Sequence, residues 1–67
     1  MITQERAREI WASVNAGPGG YIDASWRDHM TPEEYEYVAS VWRSMPATTC
    51  WFDAFARIYY GEAAHVA

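Results

Sequence analysis

Three observations in the sequence predict an all-α fold, a compact small bundle of three longer helices and one short helix. The run from Thr31 to Met45 holds a complete capping box followed by an apolar stripe at helical spacing. Two further segments, one towards each end of the chain, repeat apolar residues at steps of three and four. Strand patterning is nearly absent: only Tyr35 to Val38 hints at alternation, and the capping box just before it outweighs that signal.

The first helix is predicted over residues 4–15. Thr3 is a suitable N-cap, and Ala7, Ile10, Trp11 and Val14 fall on one stripe while Glu5 and Glu9 share the opposite face, flanked by Arg6 and Arg8. Asn15, Ala16, Gly17, Pro18, Gly19 and Gly20 then make the clearest break in the chain, because glycine takes positive φ and proline cannot continue a helix. A glycine-rich loop also invites a phosphate-binding reading. Neither a following Lys-Ser/Thr pair nor a G-x-G-x-x-G pattern after a strand is present, so the loop reads as a helix terminator.

A short helix is predicted over residues 22–29, with Ile22, Trp26 and Met30 spaced by four and Asp23 placed four residues before Arg27, the favourable order for a helical ion pair. The sequence Asp23-Ala24-Ser25-Trp26-Arg27 is echoed weakly by Asp53-Ala54-Phe55-Ala56-Arg57. The third helix, residues 32–44, starts on Thr31 as N-cap, Pro32 at the first position and Glu34 as the reciprocal partner of the box. Its stripe is Tyr35, Val38, Trp42 and Met45, with Val41 beside it, and Pro46 stops it. This best-specified segment is expected to organise the rest. The last helix is predicted over residues 50–60, capped by Thr48 or Thr49 and ended by Gly61. Trp51, Phe55 and Ile58 face inward, Phe52 and Tyr59 widen the stripe, and Asp53, Arg57 and Tyr60 stay outside. The tail, residues 62–67, has little to pin it.

At 67 residues the chain is a single helical domain, 1–67, near the size at which one core leaves roughly 3–5 kcal/mol of net stability. Its one cysteine, Cys50, offers no intrachain disulfide, so large side chains or a second copy must supply the missing stability. Four Trp, five Tyr and two Phe stand beside no leucine at all, which predicts a core built from rings. The net charge of −4 comes from nine acids against five arginines, with no lysine. That balance opposes direct nucleic-acid or anionic-membrane binding, both of which need a positive field, and suits a basic partner. With no apolar run long enough to span a bilayer and no secretory signal pattern at the N-terminus, a cytoplasmic location is expected.

The sequence encodes no recognisable reaction. Cys50 and His29 are the one thiol–imidazole combination, without an enclosing signature, and a lone cysteine near a helix start reads as a small packed side chain. Glu62 and His65 have the i, i+3 spacing of half a di-iron site, but a second such pair is missing. The expectation is therefore a protein that is not an enzyme, with no cofactor and no metal. Two helices joined near Pro46 raise helix-turn-helix DNA binding as an alternative, opposed by Glu33, Glu34 and Glu36 on the first and by the near-cancelling Asp53 and Arg57 on the second.

The positive candidate is a protein-binding face. Glu33, Glu36, Tyr37, Ser40, Arg43 and Ser44 are predicted to point outward from the third helix, joined by Glu5 and Glu9 from the first and Asp28 from the short one. A charged outer face is also what any soluble helix shows. A self-associating structural or regulatory module, a homodimer using the surplus rings, is the other alternative.

The runs Gly20-Tyr21-Ile22-Asp23-Ala24-Ser25-Trp26-Arg27-Asp28-His29-Met30-Thr31-Pro32-Glu33-Glu34 and Met45-Pro46 through Trp51-Phe52-Asp53-Ala54-Phe55, with Arg57 and Ile58, look like stretches in small phage and prophage proteins. In size, acidity and single-domain build the chain resembles anti-CRISPR proteins, the phage inhibitors of bacterial CRISPR defence. The two runs cover about half the chain and contain no defining motif, so the resemblance assigns no residue a role. It implies noncatalytic inhibition in the bacterial host cytoplasm, by occupying a CRISPR effector complex and blocking its access to target DNA. One route would offer carboxylates to the basic surface that grips phosphates; another is steric blocking by the aromatic face.

Overall fold

A computed structural model describes residues 1–61. Helix α1 (Gln4–Asn15) begins where expected, the Thr3 hydroxyl accepting from the Arg6 N–H at 3.1 Å. Ala7, Ile10 and Val14 are buried along it, and Ile2, just before the cap, is buried with them. At its far end the Asn15 amide folds back onto the Trp11 carbonyl at 2.8 Å, and the Ala16 N–H donates to the Ser13 carbonyl at 3.2 Å, satisfying one of the open acceptors of the last turn. Gly19 and Gly20, at φ 82° and 60°, then reverse the chain in a conformation that side chains with a Cβ rarely adopt.

The short helix predicted over residues 22–29 is instead two separate turns. Helix α2 (Gly20–Asp23) is a single turn, Ala24 is extended at ψ 140°, and Trp26–His29 forms a 3-10 turn. Packing overrides the Asp23–Arg27 spacing here. The break swings Trp26 inward onto Phe55, 4.9 Å away centroid to centroid, whereas a continuous helix would hold it in line with Ile22, which is 77% exposed. Among the described residues Asp23 and Arg27 form no ion pair, and the Arg27 guanidinium lies over the Tyr35 ring at 4.1 Å, a cation–π contact. Met30 closes the segment inside the core.

Helix α3 (Pro32–Arg43) carries the full capping box: the Thr31 hydroxyl accepts from the Glu34 N–H at 3.1 Å, and Glu34 Oε1 accepts from the Thr31 N–H at 2.9 Å. Val38 is fully buried, but the stripe is rotated from the one predicted. Trp42, assigned inward, is 39% exposed and its indole N–H donates to the Thr49 carbonyl at 2.7 Å. Tyr37, assigned outward, is half-buried against the core. Both residues flank the stripe, where a rotation of a few tens of degrees decides burial.

Helix α4 (Trp51–Tyr59) starts one residue beyond the predicted caps. Cys50 is its N-cap residue, without a side-chain hydrogen bond, because Thr49 is held in the preceding turn by its N–H bond to the Pro46 carbonyl at 2.9 Å. Gly61, at φ 78°, follows the helix as expected. The expected frayed tail lies outside the described residues. Helix α4, not α3, is the organising element, since α1 and α3 both pack against it and it contributes Ala54, Phe55 and Ile58 to the core. Burying Phe55, 1% exposed, contributes on the order of 2–3 kcal/mol.

The remaining core is aliphatic at its centre and aromatic at its edge. Trp11 touches five rings, those of Tyr21, Trp26, Phe52, Phe55 and Tyr59, at centroid separations of 5.1–6.4 Å. A second stack joins Tyr35 to Trp51 at 5.3 Å and ties α3 to α4. The Trp51 indole N–H is buried with no acceptor among the described residues. Among the described residues there is no strand, and no helix is long and apolar enough to cross a membrane.

Candidate protein-binding surfaces

Two surfaces among the described residues are candidates for binding a protein. The first is the outer face of α3. Glu33, Glu36, Ser40 and Arg43 are exposed on it, and Arg43 Nη2 meets Glu36 Oε1 at 2.6 Å. Both members of that pair are largely in water, so its attraction is screened and worth less than about 1 kcal/mol. Of the residues predicted to share a binding face, Glu33, Glu36 and Arg43 lie together here. Tyr37 lies at the edge of this face, half-buried against the core.

The α1 acids divide. Glu5 is exposed in the first turn, where the helix dipole favours a negative charge. Glu9 accepts from Arg6 Nη1 at 3.2 Å, and the same guanidinium reaches across to α3, donating from Nε to Glu34 Oε2 at 2.7 Å and from Nη2 to Glu34 Oε1 at 3.0 Å. This bidentate clamp joins the N-terminal ends of α1 and α3. Hydrogen bonds from Arg6 hold the Glu34 carboxyl below its ordinary range, and donating to Glu34 and Glu9 raises the Arg6 guanidinium. Asp28 is exposed in the 3-10 turn, on a separate element.

The Arg6–Glu34 clamp was not legible beforehand. Its partners are 28 positions apart, and Glu34 already had a local role in the capping box.

The second surface lies on α4. Its solvent side presents Asp53 and Tyr60, the latter 70% exposed, with Ala56 and Arg57 partly covered between them. On the α1 side a small half-open cavity of about 100 Å³ is lined by Trp11, Phe52, Phe55, Ala56, Tyr59 and Tyr60. On the α3 side a broader groove of about 420 Å³ runs past Met45, Pro46, Thr49 and Arg57 to the same Ala56 and Tyr60. The sequence signal for this face was Tyr60 itself, a large ring left off the core stripe.

Residues considered for chemistry have other partners. The Cys50 thiol donates to Asp53 Oδ2 at 3.3 Å, and His29 Nδ1 lies 2.7 Å from the Ser13 hydroxyl oxygen. Among the described residues no three His, Cys, Asp or Glu side chains converge as a metal site would require; Glu62 and His65 lie outside them. Residues 44–50 separate α3 from α4, a longer connection than the three or four residues typical of a helix-turn-helix. Compared with known proteins, the chain matches no family model, no curated protein and no solved structure.

Proposed function

We propose that the chain is a noncatalytic protein-binding inhibitor, and that its partner is a CRISPR effector complex whose access to target DNA it blocks. The observation that carries the protein-binding reading is the outer face of α3, where Glu33 and Glu36 stand in water with no role in closing the core. The effector as partner comes from the resemblance of the chain to anti-CRISPR proteins. Two carboxylates three residues apart on a helix stand about 5–6 Å apart at their Cβ atoms, so both can meet arginines or lysines of one basic groove. Because Glu36 is tethered only by an exposed arginine, a stronger basic partner takes it over at little cost.

The test is an affinity capture of the tagged protein from a bacterial lysate containing an active CRISPR effector, read by mass spectrometry, beside the variant Glu33→Lys/Glu36→Lys. Effector subunits should be retained by the natural sequence and lost with the variant, while the melting temperature moves by less than about 3 °C. Capture without effector subunits removes the inhibitor reading. Equal capture by both proteins moves the contact away from α3.

A further inference from the structure

We propose that a second copy of the chain docks on the solvent side of α4, antiparallel about a two-fold axis level with residue 55. The charges on this face are self-complementary. Asp53 and Arg57 stand one turn apart in the order that favours an internal ion pair, yet among the described residues they form none. The Asp53 carboxylate turns back to the Cys50 thiol, leaving Oδ1 free of described hydrogen bonds, and Arg57 lies along the groove beside Met45 and Pro46.

A two-fold axis gives this pair a use. In an isologous interface each residue that meets another is met by it in return. An axis parallel to α4 would set Asp53 against the partner's Asp53 and Arg57 against the partner's Arg57. An axis perpendicular to α4 runs the helices antiparallel and sets each Asp53 against the partner's Arg57, so electrostatics selects the second arrangement.

The register then follows from the helix rise. Tyr60 lies five residues beyond the midpoint, about 7.5 Å along the axis, so it comes level with residue 50 of the other copy. That is where Pro46 and Thr49 line the open groove, and a ring that is 70% exposed in the single chain gains the proline ring to pack on. Ala56 sits near the axis, and its small side chain permits close approach of the two helices. The dimer stands apart from the inhibitor reading, because it leaves Glu33 and Glu36 on α3 uncovered in both copies.

Sedimentation velocity over a micromolar to near-millimolar series tests it on the full chain. The natural sequence should show a concentration-dependent dimer. Arg57→Asp and Asp53→Arg should each weaken it at least tenfold, since like charges then face each other twice across the axis. Mixed in equal amounts, the two variants should form a heterodimer, because one copy then carries two acids and the other two bases. Circular dichroism of each variant verifies its fold, and Tyr60→Ala provides a second disruption that leaves the charges in place. Cys50→Ser/Ala56→Cys should oxidise to a linked dimer, with Cys50→Ser/Ser40→Cys on α3 as the negative control. A natural chain that stays monomeric at the highest concentration overturns the proposal. So does a dimer insensitive to Arg57→Asp, or folded variants that fail to pair when mixed.

Discussion

Replacing Glu34 with glutamine tests the account of how α1 and α3 are held together. In the folded chain the Glu34 side chain is 16% exposed, accepts two hydrogen bonds from Arg6 at 2.7 and 3.0 Å, and accepts a third from the Thr31 N–H. Glutamine keeps the length and one acceptor oxygen, so the capping contact survives while the charge and one acceptor are lost. A charge-assisted hydrogen bond contributes about 1.5–3 kcal/mol and a neutral one about 1, so loss of the charge should cost about 1–2 kcal/mol after allowing for the partly exposed arginine. In a domain this small each kcal/mol moves the melting temperature by about 4–8 °C, which places Glu34→Gln roughly 5–15 °C below the natural chain. Thermal unfolding followed by circular dichroism reads the shift. A double-mutant cycle with Arg6→Met, which keeps most of the aliphatic stem, should give a coupling of at least about 1 kcal/mol, against less than about 0.5 for the exposed Glu36–Arg43 pair. A shift below 2 °C, or equal couplings for the two pairs, would refute the reasoning.

Four further outcomes follow from the same geometry. Because the folded state holds Glu34 below its ordinary pKa, the stability from the clamp is fully present above the unfolded value of 4.5 and is lost as pH falls through the lower folded value; acid titration of the melting temperature should show a limb that Glu34→Gln flattens. Phe55→Ala should cost about 3–5 kcal/mol, enough to leave the chain largely unfolded by circular dichroism at room temperature. Trp51→Phe should cost less than about 1 kcal/mol in urea unfolding, since the lost ring area is offset by removal of a buried N–H that has no acceptor among the described residues. Gly61→Ala should lower stability by about 1 kcal/mol or more, because φ is 78° there and the added Cβ would come within 2.9 Å of the Gln4 side chain.

What the sequence made legible was what is local. Thr3 and Thr31 announce helix starts because a hydroxyl needs only an N–H three residues away, and Gly61 announces an end because positive φ is a property of one residue. Residues 22–29 were misread because the local spacing favoured one helix, and only the distant Phe55 and Tyr35 reward breaking it. The same limit applies to Trp42 and Tyr37: periodicity locates the middle of an apolar stripe, while its edges depend on where the neighbouring helix lies. The candidate site divides in the same way. Exposed acids on α3 could be named one by one, but that Glu36 pairs with Arg43, that Glu9 shares Arg6 with Glu34, and that Ala56 lines two grooves are facts of assembly.

The five-ring environment of Trp11 has a consequence for how the chain comes apart. Its neighbours lie on α2, the 3-10 turn and α4, so one side chain of α1 is in contact with three other elements at once. Withdrawing any one of them opens the cluster to water and weakens the hold on the others, which makes partial unfolding of this half unfavourable. Helix α3 contributes no ring to this cluster but is joined to it through Trp51, which packs on both Tyr35 and Trp26, and is held further by the Arg27–Tyr35 contact, Val38 and the Glu34 clamp. Amide exchange in α1 and α4 should therefore slow together as one cooperative unit.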